Sequence, residues 1–217
     1  MSRFARWLTV MLALTAARPV WSRSNLNARG LALRNFGAIG RQMGSNSVNG
    51  AVFTLSDPRY IVKLVPNVNL ARREVNIQRN LSRLGVAPMV HNFQTVNGMG
   101  AIIMNRLGSG NGETYVNLTT YRNKYGAISQ SNYEMIRAQY NAMRREGVVH
   151  GNLHWGNIAL VLNKNGRVKN VKIIDFGRSS RNGSSAQNNE SMARVKQAAR
   201  QNKEFERRRR RHKNVGL

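Results

Sequence analysis

The chain has 217 residues, in which 35 Lys and Arg face 9 Asp and Glu, for a formal net charge of +26 at neutral pH. That length suits one compact domain with tails or two small lobes, and an apolar content of 41% excludes wholesale disorder. Cysteine is absent, which excludes disulfide scaffolds, thiolate metal sites and thiol nucleophiles. So large an excess of one sign repels itself unless a polyanion neutralises it. Nucleic acid, another polyanion or an anionic membrane surface is the expected partner.

In residues 1–35, arginines precede and follow a short apolar stretch, Trp7 to Leu14, with small residues at Ala16 and Ala17. Three readings fit: a signal peptide, an anchor lying on a membrane surface through residues 1–20, and a buried helix. The stretch is too short to span a bilayer, which takes about 20 apolar residues.

Gly40 to Gly50 form a Gly- and Ser-containing segment ahead of two expected strands, Ala51–Leu55 and Tyr60–Val65, joined by the turn Ser56–Arg59. Helical periodicity follows between Asn69 and Leu84, with Leu70, Ile77, Leu81 and Leu84 read as one face and Glu74 pointing the same way. An inward carboxylate there needs a buried cation. Strands around His91–Phe93 and Gly100–Met104 flank the turn Asn97-Gly98, and Gly108 to Gly112 read as a flexible break. Ser131 to Glu134 read as a capping box opening a helix with Met135, Ile136, Tyr140 and Met143 inward and its end at Gly147. A hairpin, Ile158–Leu162 and Val168–Ile174, turns at Asn163 to Gly166. The composition past Ser180 shifts to Ser, Asn, Gln and Arg, where a loosely attached basic helix around Ser191 to Arg211 is expected. Its run Arg207, Arg208, Arg209, Arg210 and Arg211 is the expected nucleic-acid contact.

Four features stand in one order: the Gly-containing segment, Lys63 inside an apolar strand, inward Glu74, and His150-Gly-Asn-Leu-His-Trp-Gly-Asn157 followed after a hairpin by Ile173-Ile-Asp-Phe-Gly177. This order resembles the protein-kinase superfamily. The finer likeness is to the small kinase-like proteins of large algal DNA viruses, whose loop often reads His-Gly-Asp-Leu-His-x-Gly-Asn. The resemblance implies an α+β, reduced protein-kinase-like fold. It would have a five-stranded antiparallel N-lobe with one helix over 36–107, a truncated, mainly helical C-lobe over 108–180, and basic tails at 1–35 and 181–217.

It also implies ATP and Mg²⁺ as cofactors, since phosphoryl transfer rests on positioning and charge neutralisation. Lys63 would bind the α- and β-phosphates, held by Glu74. Asp175 would ligate Mg²⁺, and Asn157 would give a neutral oxygen to a second ion. Gly44 and Gly50 would admit phosphates to the backbone, Val52 would cover the adenine, and Met104 to Leu107 would offer backbone hydrogen bonds to the base.

Two departures stand out. Asn152 occupies the position of the catalytic aspartate, and an amide cannot accept a proton near neutral pH. Asp57 and Asp175 are the only aspartates. Only a short chain follows Gly177, so a full C-lobe is not expected, and Gly151 replaces the arginine that would read an activation-loop phosphate. His150 and His154 have the i,i+4 spacing of a zinc pair but lack the accompanying glutamate and third ligand. The expectation is a catalytically impaired, kinase-like module in a structural or nucleic-acid-contacting role. Viral or protein assembly partners and a place in a virion or the host cell interior accompany it. An active minimal Ser/Thr-type kinase is the alternative.

Overall fold

The computed structural model describes residues 32–33, 35–47, 50–110, 112–181 and 186–215. The apolar stretch of residues 1–20 lies outside them. The fold is α+β. Strands β2 (Gly37–Ser47), β3 (Gly50–Leu55), β4 (Tyr60–Val65), β5 (Val90–Val96) and β6 (Met99–Asn105) form an antiparallel sheet, and the two-residue β1 (Ala32–Leu33) adds a sixth strand at the edge, in the order β1-β2-β3-β4-β6-β5. The Gly-containing segment is therefore largely strand, the first arm of a hairpin. The β5–β6 hairpin turns on Asn97 and Gly98, both at positive φ (49° and 76°), as the tightest hairpin loops require.

Helix α1 (Val68–Arg83) starts at Asn67, whose side-chain oxygen accepts from the Asn69 and Leu70 amides at 3.0 and 3.1 Å. Its buried stripe is Ala71, Glu74, Val75, Ile77, Gln78 and Leu81. Leu70 and Leu84, expected inward, are about half exposed (47% and 50%). The stripe starts at Ala71, and Leu70 is rotated about 100° from it. Ala71 is where the helix meets the sheet: a Cβ on Gly100 would lie 2.3 Å from the Ala71 Cβ. The smallness of this pair lets α1 lie close against β6, which sets Glu74 over β4.

Strand β7 (Thr114–Asn117) and helix α2 (Leu118–Tyr125), neither anticipated, precede α3 (Gln130–Arg145). The expected break ahead of β7 is tight, because a Cβ at Gly108 would lie 2.6 Å from the Thr114 carbonyl carbon and the Tyr115 nitrogen. α3 starts two residues earlier than the expected box: Ser129 caps it, accepting from the Asn132 amide at 3.1 Å. Glu134 instead pairs with Arg137 at 2.7 Å. Tyr133, Ile136, Tyr140 and Met143 are buried, while Met135 is only partly so. Strands β8 (Ile158–Leu162) and β9 (Val168–Ile173) form the expected hairpin, and β7 completes a three-stranded antiparallel sheet in the order β7-β8-β9.

Helix α4 (Ala186–Val215) departs most from expectation. Its first half is docked: Met192, Val195 and Ala199 join the same core as Ile136, Tyr140 and Met143. Tyr140 donates to Asn189 Oδ1 at 2.6 Å, and Ser191 donates to the Leu153 carbonyl. Three apolar residues at i, i+3 and i+7 suffice for one stripe. The two parts of the molecule are joined where β9 meets the loop after α1, through the Ile173 amide on the Val86 carbonyl (2.8 Å) and Lys172 Nζ on the Gly85 carbonyl. No helix among the described residues is long and apolar enough to cross a membrane.

Candidate functional site

Strand alternation puts the site together. Lys63 and Ile61 point to one face of β4, and across the ladder Val52 opposes Lys63 while Met104 opposes Ile61. All four line a cavity of about 660 Å³ between the large sheet and the β7–β9 layer. Gly50 lies at its edge and Asp175 at its floor. Gly44 falls within β2, and the side chains of Arg207 to Arg211 lie outside the described part.

Three expected residues meet at one point. Lys63 Nζ donates to Glu74 Oε1 at 2.7 Å and to Asp175 Oδ1 at 2.6 Å. The Lys63 and Glu74 side chains are 6% and 2% exposed, and Asp175 is 29% exposed. Burial alone would drive the Lys63 ammonium toward neutrality, but the facing carboxylates more than offset it and hold its pKa above the ordinary lysine value. Burial holds Glu74 above the usual carboxylate range, with Lys63 pulling against it. For Asp175 burial raises the pKa, yet the charge and hydrogen bond of Lys63 outweigh it, and the carboxyl stays below its ordinary value. The cluster is a cation between two carboxylates, with the more exposed acid facing the cavity.

The backbone at the floor is held away from relaxed geometry. Asp175 has φ 63°, a left-handed conformation uncommon outside glycine and found preferentially at functional positions. It is clamped from both sides. The Ile174 amide donates to the Asn157 carbonyl at 3.0 Å, and Phe176 is buried at 1% exposure beside the His150 ring, 5.1 Å between centroids. His150 is fully buried. Its Nε2–H donates to the Ile174 carbonyl at 2.9 Å, and burial lowers its pKa to about 4.

Asn157 is buried, and its Nδ2 donates to the Asn152 carbonyl at 2.9 Å. That bond fixes which end of the amide is oxygen and leaves Oδ1 for another partner. No group of three His, Cys, Asp or Glu that could hold a metal unaided occurs among the described residues. One carboxylate and one amide oxygen suit Mg²⁺ only when phosphate oxygens and water complete its shell. On that condition the residues fit. Asn152 is half-buried with its carbonyl engaged by Asn157. His154 Nδ1 accepts from the Gly156 amide at 3.0 Å.

The linker expected to bind a base is partly committed elsewhere. The Asn105 amide donates to the Met89 carbonyl and the Arg106 amide to the Arg59 carbonyl, at 2.9 and 2.8 Å. The Leu107 amide takes no acceptor among the described residues and borders the cavity.

Gln78 was missed by sequence reasoning. Buried at 2% exposure in the cavity wall, it donates to the Pro88 carbonyl at 3.0 Å. Its position four residues after Glu74 was the available signal. Glu113, just before β7, and Thr114 and Tyr115 within it also border the cavity, and that strand is too short to leave a periodic trace.

No protein-family model matches the chain, and no curated protein matches it in sequence.

Proposed function

We propose that the chain is a protein-kinase-like nucleotide-binding module without a competent catalytic base. The observation that carries this reading is the placement of Lys63 Nζ within 2.7 Å of Glu74 and 2.6 Å of Asp175 at the floor of a cavity of about 660 Å³. That volume suits a small-molecule ligand. The apolar walls offered by Val52, Ile61 and Met104 suit a flat base, and the free Leu107 amide can donate to it. Lys63 supplies the charge for phosphates, while Asp175 and the Asn157 oxygen supply the protein share of a Mg²⁺ shell. Bound Mg²⁺ would neutralise phosphate charge, and the chain's own contribution is to orient the triphosphate between Lys63 and Asp175.

Asn152 stands where a proton acceptor would be needed, and an amide does not accept one near neutral pH. Base catalysis is worth about 10²–10⁴-fold, so binding survives its loss and turnover does not. The retained role is structural or nucleic-acid-contacting, in keeping with a net charge of +26.

Thermal unfolding with and without Mg-ATP tests the reading. Mg-ATP raises the melting temperature of the wild type, and Lys63→Ala abolishes the rise. No rise in the wild type removes the nucleotide site from the account.

A further inference from the structure

A second concavity, of about 550 Å³, lies on α2, the turn at His154 and Trp155, and the first half of α4. Its chemistry differs from that of the nucleotide-sized cavity. Arg122 and Arg194 bring cations from two helices, His154 and Trp155 come from the turn, and Gln197 and Gln201 add amides from α4. Its described lining contains no carboxylate.

We infer that this groove binds the phosphodiester backbone of a single-stranded nucleic acid, with Arg122 and Arg194 as the phosphate contacts. The cations are partly ordered in advance. The Arg122 guanidinium sits 4.9 Å from the centroid of the Trp155 ring, which fixes it at the rim. Arg194 is tethered by Glu190 one turn back at 2.5 Å, and both partners are largely exposed (69% and 62%). A solvent-exposed pair of that kind is weak, so a phosphate can displace the glutamate.

The turn adds a further donor: because His154 Nδ1 already accepts from the Gly156 amide, the proton of the neutral ring resides on Nε2. The groove sets two cations beside an aromatic ring, the combination with which single-strand grooves track a backbone and stack bases. The backbone of α4 runs on from Gln201 to Val215, and its sequence there carries the arginines 207–211. This inference is independent of the nucleotide-site reading, since none of its residues belongs to the Lys63 cluster.

The test is fluorescence anisotropy of a labelled oligothymidylate on the full chain. Arg122→Ala/Arg194→Ala is expected to weaken binding about tenfold and to lower the log–log salt slope by about 1.4, two single-strand phosphate contacts' worth. Arg73→Ala/Arg83→Ala, which removes the same charge from the exposed face of α1, is expected to change affinity by no more than about twofold. Gln201→Glu, placing a carboxylate in the groove, weakens binding as well. Equal losses from the two double variants would show a charge effect without a site and overturn the inference. So would a duplex of equal length binding as tightly as the single strand, or polyglutamate of equal charge displacing the oligonucleotide as well as unlabelled strand does. The Mg-ATP melting shift stays intact in Arg122→Ala/Arg194→Ala, which separates failure here from failure of the nucleotide site.

Discussion

Lys63 Nζ lies 2.6 Å from Asp175 Oδ1 although 112 residues of chain separate them. The contact ties the large sheet to the floor of the cavity, and Glu74 completes it from the helix above. Removing the cation alone leaves Glu74, at 2% side-chain exposure, as a buried carboxylate without its counter-charge, held only by the Phe176 backbone amide. Lys63→Met is therefore expected to cost about 3–5 kcal/mol in urea denaturation, and Lys63→Met/Glu74→Leu to recover most of it. A double variant no more stable than the single one would place the energy elsewhere.

The pH dependence of stability carries the mark of His150. Its imidazole has a folded pKa of about 4 against an ordinary 6.5. The fold thus holds it neutral where the unfolded chain would protonate it. Its contribution is fully present above about pH 6.5 and is lost as pH falls through about 4, a change of up to ~3 kcal/mol. His150→Phe lowers stability near neutral pH by losing the bond to Ile174, and flattens the profile in that window by about one proton's slope, so its deficit shrinks as the pH falls. An unchanged slope would show that another group titrates there.

Gly151 and Gly147 both sit at positive φ, 71° and 68°, yet differ in surroundings. A Cβ at Gly151 would lie 2.3 Å from the Arg178 carbonyl oxygen, whereas nothing lies within 4 Å of one at Gly147. Gly147→Ala is expected to cost about 1 kcal/mol, the left-handed penalty alone. Gly151→Ala is expected to cost at least about 2 kcal/mol more, because the backbone itself must shift. Equal costs in chemical denaturation would contradict the packing at the turn.

The proposed loss of the catalytic base predicts its own reversal. Asn152→Asp supplies a proton acceptor at that position, and phosphate transfer from radiolabelled ATP to a generic protein acceptor is expected to rise about 10²–10⁴-fold. Turnover by the wild type equal to that of the variant would make the chain an active kinase.

Helix α4 supplies a stability test of its own. Val195 is fully buried, so Val195→Asp buries an unpaired charge and is expected to unfold the protein near room temperature. Lys196→Asp, one residue away and exposed, is expected to stay within about 0.5 kcal/mol of wild type. Similar melting temperatures for the two would detach the helix from the core.

Lys63, Glu74 and Asp175 were legible in the sequence for different reasons. Lys63 stands out as the one charge in an apolar strand, Glu74 by the helical period that turns it inward, and Asp175 by a short motif of fixed spacing. What local pattern could not settle was phase and attachment. Ser129 and Ser131 can both cap α3, and only the fold selects Ser129. Leu70 has the chemistry of a core residue but lies beside the stripe that begins at Ala71. Met192, Val195 and Ala199 form a narrow stripe in a highly charged helix, so composition pointed to a loose tail where packing makes a docked one. For β7 and α2 there was little to read, since Leu118 is the one buried residue of α2.

The chain leaves Asp175 and is almost at once committed again: the Ser179 hydroxyl donates to the His150 carbonyl at 3.0 Å, and Ser180 and Val149 exchange backbone bonds at 2.8 and 2.9 Å. α4 begins at Ala186. A stretch anchored so soon after the floor of the cavity has no slack with which to swing between open and shut positions. A nucleotide bound there, as proposed, would meet a floor already fixed in place and not one assembled by a rearranging loop.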